Sequence, residues 1–263
     1  MYAFTFERPS TVADAARLAA GGAKLLAGGQ TLLASMKLRL SSPETLVDLS
    51  SIKELAGIRK EGHALVIGAM TRHSDVAASA EVRAAIPALA ALAAHIGDKQ
   101  VRNMGTLGGS LANNDPAADY PAAVLGLGAT VQTTQRKIAA DDFFTGMFST
   151  ALEEGELITA VSFPTCKRAA YQKFNQPASR FALAGVFVAQ TDAGVRVAVT
   201  GAGSSVFRHA GLEDALNQSF TPAAAAAVAI DAADLNSDLH ASAAYRANLI
   251  SVLAQRAVAQ ALA

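Results

Sequence analysis

The sequence predicts an α+β protein of two lobes followed by a smaller C-terminal unit. Three observations predict it. Residues 1–50 alternate a short apolar run, an amphipathic segment and a second apolar run, the pattern of a compact strand–helix–strand unit. Two glycine-rich stretches, Leu25–Leu33 and Gly105–Pro116, each follow an apolar run with a turn that glycine makes at little steric cost. Beyond Pro164, three apolar runs separated by turn residues read as an antiparallel sheet, closed by alanine-rich helices.

Composition narrows the class. The chain has 263 residues, 51% hydrophobic and 17% charged, enough for a full core and too apolar for a disordered chain. Lys and Arg number 22, as do Asp and Glu, so no basic surplus advertises nucleic acid or an anionic membrane. Tryptophan is absent, which removes the usual base-stacking platform. Cys166 is the single cysteine, so an internal disulfide and a multi-cysteine metal or iron–sulfur site are excluded. The opening Met1–Pro9 lacks a charged segment followed by an apolar one, and no apolar stretch is long enough to span a bilayer. These features predict a soluble, cytoplasmic protein.

The elements follow in order. Residues 3–6 form a strand. Ser10–Asp14 supplies a helix start, and Gly21-Gly22 ends the helix. Lys24–Ala27 is a strand that enters the first glycine turn, Leu32–Met36 is helical, and Thr45–Leu49 is a third strand. Leu55–Arg59 and Ala64–Ile67 pair across Gly62. Thr71–Asp75 opens a helix that breaks near Ser79. A longer helix over Val82–Ala94 contains Pro87 as a kink or break. His95–Asn103 is a loop into the second glycine stretch, and Ala122–Leu127 is helical. Ala129–Thr134, Gln135–Ala139 and Glu156–Phe163 are antiparallel strands, with a short helix opened by Asp141–Phe144. After a boundary at Pro164–Arg168 come strands at Ala169–Phe174, Ala182–Gln190 and Val195–Gly201. Helices near 209–217, 222–233 and 242–262 end the chain. The expected division is 1–165, with lobes of about 1–52 and 53–165, and 166–263.

The candidate chemistry lies in the glycine stretches. A Gly-Gly pair beside a hydroxyl turns several N–H groups and an O–H toward one small volume, and such a concavity suits phosphate oxygens. The same residues also make ordinary turns. Neither stretch is a dinucleotide fingerprint or a P-loop. Asp115 and Asp119 read either as a carboxylate pair for acid–base work or as turn-forming residues. The histidines, at 63, 73, 95, 209 and 240, show no metal-ligand spacing, and Gly-x-Ser-x-Gly around Ser110 is absent. No catalytic acid, base, nucleophile or metal ligand emerges.

Three segments together resemble a known family. These are Ala27-Gly28-Gly29-Gln30-Thr31-Leu32-Leu33 with Met36-Lys37-Leu38-Arg39, then Gln100-Val101-Arg102-Asn103 with Gly105–Ala112, then Asp115-Pro116-Ala117-Ala118-Asp119 with Pro121. They resemble the FAD-binding medium subunit of molybdenum hydroxylases, the carbon monoxide dehydrogenase and xanthine dehydrogenase family. Ala241–Arg246 is similar to a segment of that family's C-terminal domain, so the resemblance spans the chain.

The resemblance implies the two-lobed FAD-binding fold of the vanillyl-alcohol-oxidase type, followed by an α+β domain with a three-stranded antiparallel sheet. It implies that Ala27, Gly28, Gly29, Gln30, Thr31 and Leu32 wrap the FAD pyrophosphate. Thr106, Leu107, Gly108, Gly109 and Ser110 hold phosphates and ribityl from the second lobe. Asn113 and Asp119 lie along the ribityl or adenosine part, and Ile158 packs against the flavin or adenine. It further implies a heterotrimer, as a dimer of such trimers. A large subunit carries the molybdopterin cofactor and a small subunit carries [2Fe–2S] clusters. Electrons would pass from a cluster to this chain's FAD and on to NAD, a quinone or O2. Two departures stand out: many relatives carry His where Gln30 stands, and some carry Lys where Asn175 stands. A stand-alone flavoprotein oxidoreductase and a non-catalytic scaffold subunit are the alternative readings.

Overall fold

The computed structural model describes residues 1–263. The N-terminal lobe runs β1 (Thr5–Glu7), α1 (Val12–Ala20), β2 (Lys24–Leu26), α2 (Leu32–Lys37) and β3 (Thr45–Asp48). Its three strands lie in the order β1-β3-β2, all parallel. The third strand thus inserts between the first two. Its residues Leu46 and Val47 are buried, whereas every residue of β1 is exposed, so β3 is the strand that needs two neighbours. Thr11 caps α1 by accepting from the Asp14 N–H at 3.1 Å. The helix then lays Ala15 and Ala19 on Val47 and Leu49.

The second lobe opens with a turn of 3-10 helix at Lys53–Leu55, which delays the first strand of the expected hairpin. It continues with β4 (Ile58–Glu61), β5 (Ala64–Gly68), α3 (His73–Ala78), α4 (Ala80–Ala85) and α5 (Pro87–Ala94). Pro87 begins α5 rather than bending one long helix, since a helix start needs no N–H there. Next come α6 (Lys99–Met104), α7 (Leu107–Asn113), α8 (Tyr120–Gly126), β6 (Thr130–Thr133), β7 (Lys137–Ala139), α9 (Ala140–Phe143), β8 (Phe144–Gly146), β9 (Ser149–Thr150) and β10 (Ile158–Pro164). The antiparallel sheet β4-β5-β10-β6-β7 places apolar β10 at its centre. Two sequence expectations fail here. Residues 99–104 are helix rather than loop, because the Asp98 carboxylate caps the Val101 N–H at 2.7 Å. The second glycine stretch is likewise a helix, capped by Thr106.

The C-terminal part comprises β11 (Arg168–Asn175), β12 (Ala182–Thr191), β13 (Gly194–Thr200), β14 (Phe207–Arg208), α10 (Ala210–Gln218), α11 (Pro222–Ala226) and α12 (Ala243–Leu262). Its antiparallel sheet, β11-β12-β13-β14, has four strands, not the three expected. The extra strand is too short to show a period. The helix expected over 222–233 stops at Ala226. Strand β12 is buried on both faces. Phe187 and Ala189 enter the large core beneath the second lobe, while Ala184, Val186 and Val188 enter the core under α12. The sheet is therefore a middle layer, and it holds α8 from behind.

Candidate functional site

The two glycine stretches meet backbone to backbone. A Cβ added to Gly28 would overlap the Met104 carbonyl oxygen and stand 2.7 Å from Gly105 Cα. Only a residue without a side chain permits that approach. Gly29 turns the chain at φ +71°, which an L side chain rarely adopts. From there the loop runs through exposed Gln30 and Thr31 into α2. None of the backbone N–H groups of Ala27, Gly28, Gly29, Gln30, Thr31 and Leu32 donates a hydrogen bond within the chain. The Thr31 hydroxyl, at the start of α2, caps nothing. This is a row of neutral donors on a surface with little side-chain bulk.

The second stretch is built differently. Segment 69–73 zips onto it: His73 N–H donates to Gly105 O at 3.0 Å, Leu107 N–H to Thr71 O at 3.1 Å, and Gly108 N–H to Ala69 O at 2.8 Å. The Gly109 N–H donates to Thr106 Oγ1 at 3.2 Å and the Ser110 N–H to Thr106 O at 3.0 Å. The expectation of free N–H groups here is therefore corrected. The glycines serve close packing instead. A Cβ on Gly108 would stand 2.6 Å from Ala69 Cβ, and one on Gly109 would stand 2.9 Å from Thr106 Oγ1 and 3.3 Å from Ala27 Cβ. Gly109 thus faces the first loop. Ser110 and Asn113, both half-buried, have side chains with no partner in the chain and remain available to a ligand.

Three further expected residues fall as follows. Leu107 is fully buried beneath the helix and contributes packing. Ile158, on β10, lies in the large core cluster. Asp119 is 5% exposed, and its carboxylate accepts from Tyr171 OH at 2.6 Å and from Lys173 Nζ at 2.9 Å. Burial pushes this carboxyl upward, against the pull of the Lys173 ammonium. With both oxygens engaged, Asp119 ties α8 to β11 rather than offering an acceptor to a ligand hydroxyl. Asp115 is a turn residue, its carboxylate accepting from the Ala117 N–H at 2.9 Å.

Sequence reasoning missed the groups behind the site. His73 is buried against Gly105, and its ring lies 5.2 Å from that of Tyr120. Asn114, at φ +41°, ends α7 and donates to Gly146 O at 2.8 Å and Ser149 O at 2.7 Å, fixing the β8–β9 hairpin. The C-terminal sheet grips the loop after α7 through Thr200 Oγ1, which donates to Ala118 O at 2.6 Å, and Gly201 N–H, which donates to Pro116 O at 2.8 Å. An asparagine after a helix is a readable stop signal. The others depend on long-range contacts and carry no local mark.

The donor set fits a pyrophosphate, whose oxygens need several N–H donors and a surface free of side chains. Nothing in the cradle supplies a carboxylate to oppose the charge. Comparison with known proteins agrees. Residues 2–166 match the family described as the FAD binding domain in molybdopterin dehydrogenase. The carbon monoxide dehydrogenase medium chain of Hydrogenophaga pseudoflava is 37% identical, over 97% of this chain and 96% of its own. The 6-hydroxypseudooxynicotine dehydrogenase complex subunit alpha of Paenarthrobacter nicotinovorans is 36% identical, over 95% of this chain and 88% of its own. A chain of the reconstituted CO dehydrogenase from Oligotropha carboxidovorans superposes with a TM-score of 0.92 at 34% identity, covering 99% and 98% of the two chains. One from quinoline 2-oxidoreductase of Pseudomonas putida 86 gives 0.91 at 29% identity, covering 99% and 97%.

Proposed function

The chain belongs to the family of FAD-binding domains of molybdopterin dehydrogenases, and on that premise we propose that it is the FAD-carrying medium subunit of a molybdenum hydroxylase. The observation that carries this reading is the row of unpartnered N–H groups over Ala27–Leu32, laid against the Met104–Gly105 backbone and facing Gly109. In this reading the Ala27, Gly28, Gly29, Gln30, Thr31 and Leu32 backbone binds the pyrophosphate. Ser110 and Asn113 donate to the phosphate–ribityl part from the second lobe. Thr106, Leu107 and Gly108 hold the shape of that lobe, and Gly109 lets Ala27 of the first loop approach it closely. Ile158 supports the core below the site.

FAD, when bound, supplies the exchange between one-electron and two-electron carriers. The chain binds and orients it, and its neutral donors favour the anionic pyrophosphate without a compensating cation. This division of labour accounts for the lack of an acid–base constellation near the glycine stretches. The substrate-oxidising chemistry belongs to a large molybdopterin subunit, and a small [2Fe–2S] subunit feeds electrons to this chain, in a dimer of heterotrimers. NAD, a quinone or O2 takes them onward. The compartment is the cytoplasm; no helix is long and apolar enough to cross a membrane. We also retain the division into 1–165 and 166–263 as a proposal for limited proteolysis to check.

The visible absorption spectrum of the purified chain, with the released chromophore weighed by mass spectrometry, tests the reading. A flavin spectrum releasing FAD is expected, together with co-purification of two partner subunits. A colourless chain that takes up no added FAD overturns it.

A further inference from the structure

His73 stands directly behind the seam between the two glycine stretches. It opens α3, and its backbone N–H already holds Gly105 O. Its ring lies on the side of Gly105 where a side chain would project: a Cβ there would be 2.5 Å from Nε2 and 2.8 Å from Cδ2. Gly28 in turn packs on Gly105 and on the Met104 carbonyl. The first loop rests on Gly105, and Gly105 rests on the imidazole. Nothing else in the chain accounts for a histidine here. Nδ1 is buried without a partner, as is the hydroxyl of neighbouring Tyr120. An apolar ring would fill the space without leaving a polar atom unsatisfied.

We propose that His73, in its neutral form, is a positioning residue of the FAD cradle, setting the height of Gly105 and thereby the stance of the Ala27–Leu32 loop. The inference rests on the reading that this loop holds FAD. The neutral form matters because of what surrounds the ring. Arg102 of α6 places a cation beside it, and the ring of Tyr120 of α8 lies 5.2 Å away, itself facing the carboxylates of Asp119, just before α8, and Asp75 of α3. Burial, then the Arg102 charge, push the imidazole down to about 4. A proton added there would set two cations side by side in a dry site and push the ring off Gly105.

The test titrates the full chain with FAD, following quenching of flavin fluorescence, for the wild type, His73→Ala, Gly105→Ala and the double variant. Loss of the ring is expected to weaken FAD binding by about tenfold, and the Gly105 methyl, driven into the imidazole, by at least about as much. The double variant is expected within about threefold of His73→Ala alone, because removing the ring makes room for the methyl. Additive losses, or wild-type affinity in His73→Ala, overturn the proposal.

His73→Gln adds a readout that a purely structural role would not move: the pH dependence of FAD affinity over the range in which circular dichroism shows the fold of both chains intact. It keeps a polar wall that cannot become a cation. Wild-type affinity is expected to fall below about pH 5 while that of His73→Gln stays level. Parallel pH profiles overturn the proposal. A wild-type chain that takes up no FAD overturns the underlying FAD reading instead, which keeps the two failures apart.

Discussion

Gly28→Ala adds one methyl group where the two glycine stretches touch. That methyl would overlap the Met104 carbonyl oxygen and lie 2.7 Å from Gly105 Cα. Both obstacles are backbone, so no side chain can rotate away. The loops must part by about 1 Å to restore ordinary contact, a displacement beyond what close-packed groups absorb. Overpacking against movable side chains costs about 1–3 kcal/mol. Backbone neighbours place this case at the upper end, and about 3 kcal/mol corresponds to a loss of about a hundredfold in affinity. Isothermal titration of the full chain with FAD should show that loss. The apoprotein's thermal midpoint, followed by circular dichroism, should fall by only a few degrees, because the seam lies outside the three core clusters. A variant that binds FAD within threefold of wild type would refute the claim that this contact sets the cradle.

Other substitutions probe the surrounding parts. Gly109→Asp places a carboxylate between Thr106 Oγ1 and Ala27, beside the phosphate position, and should leave no measurable FAD binding by absorbance after gel filtration. Lys173→Met strips the ammonium from buried Asp119; uncompensated buried charge costs about 3–5 kcal/mol, read as a drop in urea midpoint at pH 7 that shrinks in mild acid as the raised carboxyl takes a proton. His73 also makes stability pH-dependent. The unfolded chain protonates it near 6.5 and the folded chain only near about 4, so stability is full above 6.5 and declines as pH falls between those values. The expected loss from pH 7 to pH 5 is about 2 kcal/mol, and His73→Gln should abolish that part of the slope. Gly211→Ala, inside α10 with only ordinary contacts of 3.5 Å and longer, should raise stability by about 0.5–1 kcal/mol through helix propensity, without touching FAD binding.

The sequence by itself determined the kind of elements, the family and the glycines that matter. Helix caps and turns are local: Thr11 and Ser242 each cap the N–H three residues on, so the helices α1 and α12 are legible from neighbouring residues, whereas Thr106 caps α7 in a stretch whose glycines read as a turn. Gly28, Gly29 and Gly109 stand out because a missing side chain is itself visible in the sequence. What those glycines do was legible only in part. In the first stretch they leave N–H groups free. In the second, the same Gly-Gly pattern has every N–H of residues 107–110 satisfied, by Ala69, Thr71 and Thr106. No local rule separates the two cases, because the acceptors Ala69 and Thr71 arrive from a distant segment.

Tertiary structure alone decided the rest. It inserted β3, the most buried of the three strands, between β1 and β2, where it has neighbours on both edges. It also turned Asp119 inward onto Tyr171 and Lys173, a pairing set by how β11 packs beside α8 and invisible in a motif that reads equally well as a turn. His73 acquired its place behind Gly105 in the same way. Hydrogen bonds to near neighbours and conformational preference are written residue by residue. Charge pairing and close approach depend on which surfaces meet, and that is fixed only when the whole core is buried.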